Sequence, residues 1–143
     1  MRTLQSSSTL QSSSREVGRC CEFPVVPQEQ VGQRWRYTYL SLLRPEAEVG
    51  KDWFEAIARF DYETGTLTEA DLGENCYSVE PIYVTDRNDP QRGWVLTVVY
   101  DGNTDKSEVW VLDSDRLDSE PICRLGLPVV VPIGFHGTWR NRS

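Results

Sequence analysis

Histidine is almost absent from this chain: of 143 residues only His136 carries an imidazole. One imidazole completes no metal site by itself, so metal chemistry here needs carboxylates from the chain or donors from elsewhere. No apolar run approaches the roughly 20 residues that span a bilayer. Positive charge is in deficit, with 15 basic against 22 acidic residues and a formal net charge of −7, which argues against nucleic acid or an anionic membrane as the main partner. Cys20, Cys21, Cys76 and Cys123 show no C-x-x-C spacing, and no apolar segment that would direct secretion precedes them. That pattern fits reduced thiols in the cytoplasm. A faint likeness of the serine-rich start to a transit peptide makes the plastid the alternative. Helical periodicity is missing apart from a trace over 53–58.

What is present falls into two parts. The first is a tandem hexamer, Thr3-Leu4-Gln5-Ser6-Ser7-Ser8 followed by Thr9-Leu10-Gln11-Ser12-Ser13-Ser14, with almost nothing to bury. It predicts a disordered tail over 1–19, followed by one folded unit over 20–143. From Cys21 onward short apolar runs alternate with turn residues, which is the pattern of an all-β chain. Strands are expected near 21–26, 35–43, 53–61, 66–72, 80–85, 93–100, 107–113, 121–127 and 129–135. Asp61-Tyr62-Glu63-Thr64-Gly65 and Asp101-Gly102-Asn103-Thr104-Asp105 are hairpin turns by composition. Most aromatic residues fall in the apolar runs and read as sheet packing. Only Trp139, near the histidine, reads as adjacent to a site.

The runs repeat. Arg36–Leu42 matches Trp94–Tyr100 at an interval of 58 residues, and Ala58–Asp61 matches Trp110–Asp113 at an interval of 52. A period near 50 with four short strands is that of a propeller blade, which places blades near 21–72 and 80–127 and a further strand near 129–139. Each blade opens on a glutamate close to a proline: Glu22-Phe23-Pro24 and Glu80-Pro81-Ile82. The next step of the repeat carries His136, at intervals of 58 and then 56 residues. Innermost strands line the axis of a propeller, so Glu22, Glu80 and His136 are expected to converge. One imidazole with two carboxylates admits three readings: a facial triad on iron, acids that orient histidine ligands, or a glycosidase-type acid and base. No sugar-binding aromatic cleft accompanies them, which favours the metal.

Cys21-Glu22-Phe23-Pro24-Val25-Val26-Pro27 with Trp35-Arg36-Tyr37-Thr38-Tyr39, Glu80-Pro81-Ile82-Tyr83-Val84, Gly93 through Asp101, and Leu127-Pro128 through Gly134-Phe135-His136-Gly137-Thr138-Trp139 together resemble the carboxy-terminal part of the carotenoid cleavage oxygenases. The resemblance runs from Cys21 to Trp139. It implies the carboxy-terminal blades of a seven-bladed β-propeller, incomplete in this chain. It also implies an Fe(II) ion on the axis, held by four histidines and supported by three glutamates that hydrogen-bond to histidine ligands. His136 matches the last iron ligand; Glu22 and Glu80 match two of the supporting acids, which do not touch the metal. The activity implied is cleavage by O2 of a conjugated double bond in a carotenoid, apocarotenoid or stilbene, with no organic cofactor and with peripheral membrane contact in the complete enzyme. The three other histidines, the amino-terminal blades and the helical cap have no counterpart here.

Two expectations follow. In the first, the chain is a carboxy-terminal fragment of such an oxygenase, inactive alone, and a complementary chain would have to supply the missing blades. In the second, it is a non-enzymatic half-propeller that docks by strand pairing or associates with itself. Adjacency makes Glu80 the expected partner of His136.

Overall fold

The computed structural model describes residues 17–48 and 50–140. Within them lie nine strands and one short 3-10 turn, Gln28–Gln30, with no α-helix. The strands are β1 Cys21–Val25, β2 Tyr37–Leu42, β3 Ala56–Asp61, β4 Thr66–Asp71, β5 Cys76–Ser78, β6 Ile82–Thr85, β7 Gly93–Asp101, β8 Lys106–Asp113 and β9 Cys123–Gly126. They build two antiparallel sheets. The first is a meander in the order β1-β2-β3-β4; the second runs β5-β7-β8-β9, with β6 also paired to β7. Each is a propeller blade.

Alternation builds the packing. In β7, Val95, Thr97 and Val99 are buried on one face, while Trp94, Leu96 and Val98 stand half-buried on the other. The two hairpins turn where composition predicts. Gly65 takes φ 73° and Asp105 φ 53°, and the Asp61 and Asp101 carboxylates accept from the Glu63 and Asn103 amides at 2.9 and 2.8 Å.

One core serves both sheets. Tyr39, Ile57, Ala70 and Leu72 of the first pack with Val95, Val99, Trp110, Leu112 and Leu117 of the second. Removing each large aliphatic side chain from water contributes about 1.5–3 kcal/mol. Polar ties cross the same seam: Arg59 donates to the Ser114 carbonyl at 2.6 Å, and the Tyr39 and Tyr83 rings stack with centroids 5.2 Å apart. Gly93 lies under Tyr83, where an added Cβ would come within 2.1 Å of the phenol oxygen. Only glycine allows that approach.

The repeat extends to the strand ends. Asp61 and Asp113 close β3 and β8 at matching positions, 8% and 5% exposed. Arg36 donates to Asp61 and holds its carboxyl well below the usual range, with the Glu63 amide adding to the effect. Burial alone would raise Asp113; the Asp115 amide, Arg116 and Arg92 outweigh it and leave that carboxyl lowered too.

The structure corrects four expectations. No strand forms over 129–135: Pro128 and Pro132 lack donors, and the Val131 amide bonds to the Ser107 hydroxyl at 3.0 Å instead of to a neighbouring strand. Residues 127–139 form an irregular strap across the open face of the second blade. The second blade starts at Cys76, before the expected 80, because its inner strand is split into β5 and β6 by Pro81. The helical trace at 53–58 becomes the entry to β3, whose Ile57 must alternate onto the shared core. The expected tail lies outside the described residues over 1–16, but Arg19 is held in place, donating to the Leu43 carbonyl at 2.6 Å and pairing with Glu69.

Candidate metal-ligand site

Both inner strands break at their glutamate. In β1 the pairing with β2 shifts between Glu22 and Val25, and Phe23 adopts φ 56°, a left-handed conformation rare for an aromatic residue. In the second blade β5 ends at Ser78 and β6 begins at Ile82, leaving Val79-Glu80-Pro81 between them. Proline cannot donate to the ladder, and an inner edge tolerates that.

Glu80 is the anchor of the site. Its carboxylate Oε2 accepts the Gly137 amide at 3.0 Å and lies 3.3 Å from His136 Nδ1. The acid is largely enclosed, 16% exposed at the side chain, whereas the imidazole projects outward at 77%. A carboxylate only accepts, so this contact favours hydrogen on Nδ1 and leaves the Nε2 lone pair outward. Gly137 is needed beside it: an added Cβ would meet Ile82 Cδ1 at 3.0 Å, so the strap lies tightly on β6.

An aromatic wall stands on the other side. The Phe23 ring meets His136 edge-on with centroids 5.7 Å apart, and also contacts Phe54 at 5.3 Å and Phe135 at 6.2 Å. Phe23 reads as sheet packing in the sequence; its ring is the one that meets the histidine, from a residue of unusual φ. A cleft of about 270 Å3 opens beside His136 between the strap and the second blade, walled mainly by Ile82, Leu96, Val98, Val109 and Pro132. Trp139, expected near the site, borders a second cleft that shares Glu80 and Gly137.

Glu22 departs from the expected convergence. It is exposed on β1, and among the described residues its carboxylate makes neither a hydrogen bond nor an ion pair, although its backbone pairs with Ser41. Phe23, not Glu22, fills the space beside the imidazole. Among the described residues no three His, Cys, Asp or Glu side chains gather as a metal ion requires, so a facial triad built from Glu22, Glu80 and His136 is not formed. The four cysteines are free thiols; burial, then Cys20 and Glu22, push the Cys21 thiol pKa up, which disfavours the thiolate needed for a ligand. One outward imidazole nitrogen, with its ring held from behind, fits one position of a larger donor set. Among the described residues no helix is long and apolar enough to cross a membrane.

Sequence and fold are similar to those of known proteins. Residues 3–141 match the family described as retinal pigment epithelial membrane protein. The apocarotenoid-15,15'-oxygenase of Synechocystis is 34% identical over 125 residues, covering 86% of this chain and 25% of that protein. The carotenoid 9,10(9',10')-cleavage dioxygenase 1 of Arabidopsis thaliana is 34% identical over 129 residues, covering 80% and 23%. The solved cobalt-substituted Synechocystis enzyme superposes with a TM-score of 0.78 at 33% identity, over 88% of this chain and 26% of that one. The two sheets thus match part of a seven-bladed propeller. The chain spans about a quarter of the length of these relatives.

Proposed function

Because this chain belongs to the carotenoid cleavage oxygenases, the retinal pigment epithelial membrane protein family, we propose that His136 is one of the histidine ligands of an iron(II) centre and that Glu80 holds its ring. The observation that carries the reading is the double contact of Glu80 Oε2 with His136 Nδ1 and the Gly137 amide. The metal-facing nitrogen is then Nε2. A carboxylate behind a ligating histidine fixes its tautomer and raises its basicity. Glu22, at the matching break of β1, would hold a different histidine, one from outside this chain.

When bound, iron(II) supplies the redox chemistry by which O2 adds across a conjugated double bond and yields two carbonyl products. The residues of this chain do the rest of their part without leaving place: Glu80 orients the ring, Phe23 packs edge-on against it, and the apolar cleft accepts a stretch of polyene. Carotenoids or apocarotenoids are the substrate class. Three further histidines have to come from outside the chain, since a lone imidazole does not retain iron(II) against water.

The test is a graft. Residues 17–140 replace the matching quarter of the Synechocystis apocarotenoid-15,15'-oxygenase, and iron content and product aldehydes are measured. The graft is expected to hold iron and cleave an apocarotenal, and His136→Ala to lose both. Turnover retained by His136→Ala would remove the ligand assignment.

A further inference from the structure

We infer that Ser41 and Thr97, two buried hydroxyls from different blades, position Glu80 against His136 by clamping the carbonyl of Val79. Ser41 Oγ donates to that carbonyl at 3.2 Å and Thr97 Oγ1 at 3.0 Å. Ser41 is 0% and Thr97 2% exposed, on strand faces otherwise occupied by Tyr39, Val95 and Val99. A hydroxyl buried there costs free energy unless it is bonded. Both reach one acceptor, and Thr97 Oγ1 lies farther, at 3.4 Å, from a second, the Val98 carbonyl.

The reason lies in the broken inner strand. Pro81 interrupts the pairing with β7, and Val79 keeps a single ladder bond, its amide donating to the Val98 carbonyl at 3.1 Å. Its own carbonyl lies in the interruption, where the two side chains replace the missing ladder donor. That carbonyl belongs to the same rigid plane as the Glu80 amide. Fixing the plane fixes where the Glu80 side chain leaves the backbone, and so where its carboxylate meets the ring. Ser41 comes from the first blade, where its backbone stands opposite Glu22. One serine therefore ties the breaks at both glutamates.

A neighbouring hydroxyl supplies the control. Ser78 is 0% exposed, and its Oγ has no hydrogen-bond partner among the described residues. It sits one residue before Val79 in equal burial. Removing it takes away a hydroxyl without breaking a bond.

This deepens the reading given under the proposed function and takes its functional meaning from it, but the test reads the imidazole and not the metal. The chain has one histidine, so 15N-histidine labelling gives a single pair of ring nitrogens in a long-range 1H–15N correlation spectrum. At about pH 8 the unaltered chain is expected to carry its hydrogen mainly on Nδ1, the nitrogen that faces Glu80. In Ser41→Ala/Thr97→Val the tautomer ratio should move toward Nε2–H by roughly threefold to tenfold, the worth of one hydrogen bond. Thr97→Ser, which keeps the hydroxyl, should leave the original ratio in place where Thr97→Val shifts it, and Ser78→Ala should not move it.

A folded double variant with an unchanged ratio would overturn the inference, as would an equal shift in Ser78→Ala. If the double variant does not fold, the near-isosteric Thr97→Val alone decides, by the same criterion. An Nε2–H ring in the unaltered chain would overturn the clamp's purpose, yet iron retention by the graft tests the ligand assignment separately.

Discussion

Glu22 and Glu80 stand at matching places on two inner strands, and their surroundings are opposite. Each follows the same local rule: a proline within two residues after the acid and a break in the ladder. Glu80 is enclosed and bonded to a ring nitrogen and an amide, while Glu22 lies exposed, its carboxylate with no hydrogen bond or ion pair among the described residues. The difference teaches that the strand break only presents the carboxylate. What completes the site is a segment that returns to meet it: the strap carrying His136 bonds to the acid of the second blade, whereas it meets the first blade through the Phe23 ring.

The comparison is broken most severely through the core that holds both strands. Ile57→Ala empties a fully buried position where the two sheets meet and is expected to cost about 2–5 kcal/mol. Urea unfolding followed by Trp fluorescence checks it. A loss confined to one sheet would mean that the blades are separate bodies.

A milder pair sharpens the contrast. Glu80→Gln weakens the hold on His136 and Gly137 and should cost about 1–2 kcal/mol of local stability in the strap, whereas Glu22→Gln should stay within about 0.5 kcal/mol. Amide protection at Gly137 in the two variants reads the difference. Equal effects would erase the distinction between the sites.

The smallest expected effect concerns the strand ends, where the blades are alike. Asp61 and Asp113 both have folded pKa values below the ordinary carboxylate range. A depressed folded value means that their stabilisation is complete above about pH 4 and lost as the pH falls through the folded values. The thermal midpoint should fall in acid, and Asp61→Asn and Asp113→Asn should each flatten that fall. A variant as acid-sensitive as the parent would remove its carboxylate from the account.

Much of this architecture is legible in the residues because period-two alternation and turn chemistry are local. Val95, Thr97 and Val99 announce a half-buried strand without reference to anything distant. Cys76–Ser78 does not, being three residues long and separated from β6 by Pro81. Val129 to Val131 read as a strand for the opposite reason: apolar composition is visible, whereas the donors removed by flanking prolines matter only once a neighbour is absent. At the site, the repeat interval leads to Glu80 and His136. Phe23 escapes because nothing local predicts its positive φ. Ser41 and Thr97 escape because hydroxyl side chains in strands look like ordinary strand formers until their shared acceptor is seen.

The strap has a consequence for motion. Amide donations that attach it to the second blade include Leu127 to the Ser107 carbonyl at 2.9 Å, Val131 to the Ser107 hydroxyl at 3.0 Å, and Gly137 to Glu80 at 3.0 Å. The sheets, by contrast, are stitched by full ladders around a common core. In hydrogen–deuterium exchange the strap is therefore the first cooperative unit to open, at a free energy far below that of releasing β3 or β7. His136 rides on the part of the molecule that can detach without melting the rest.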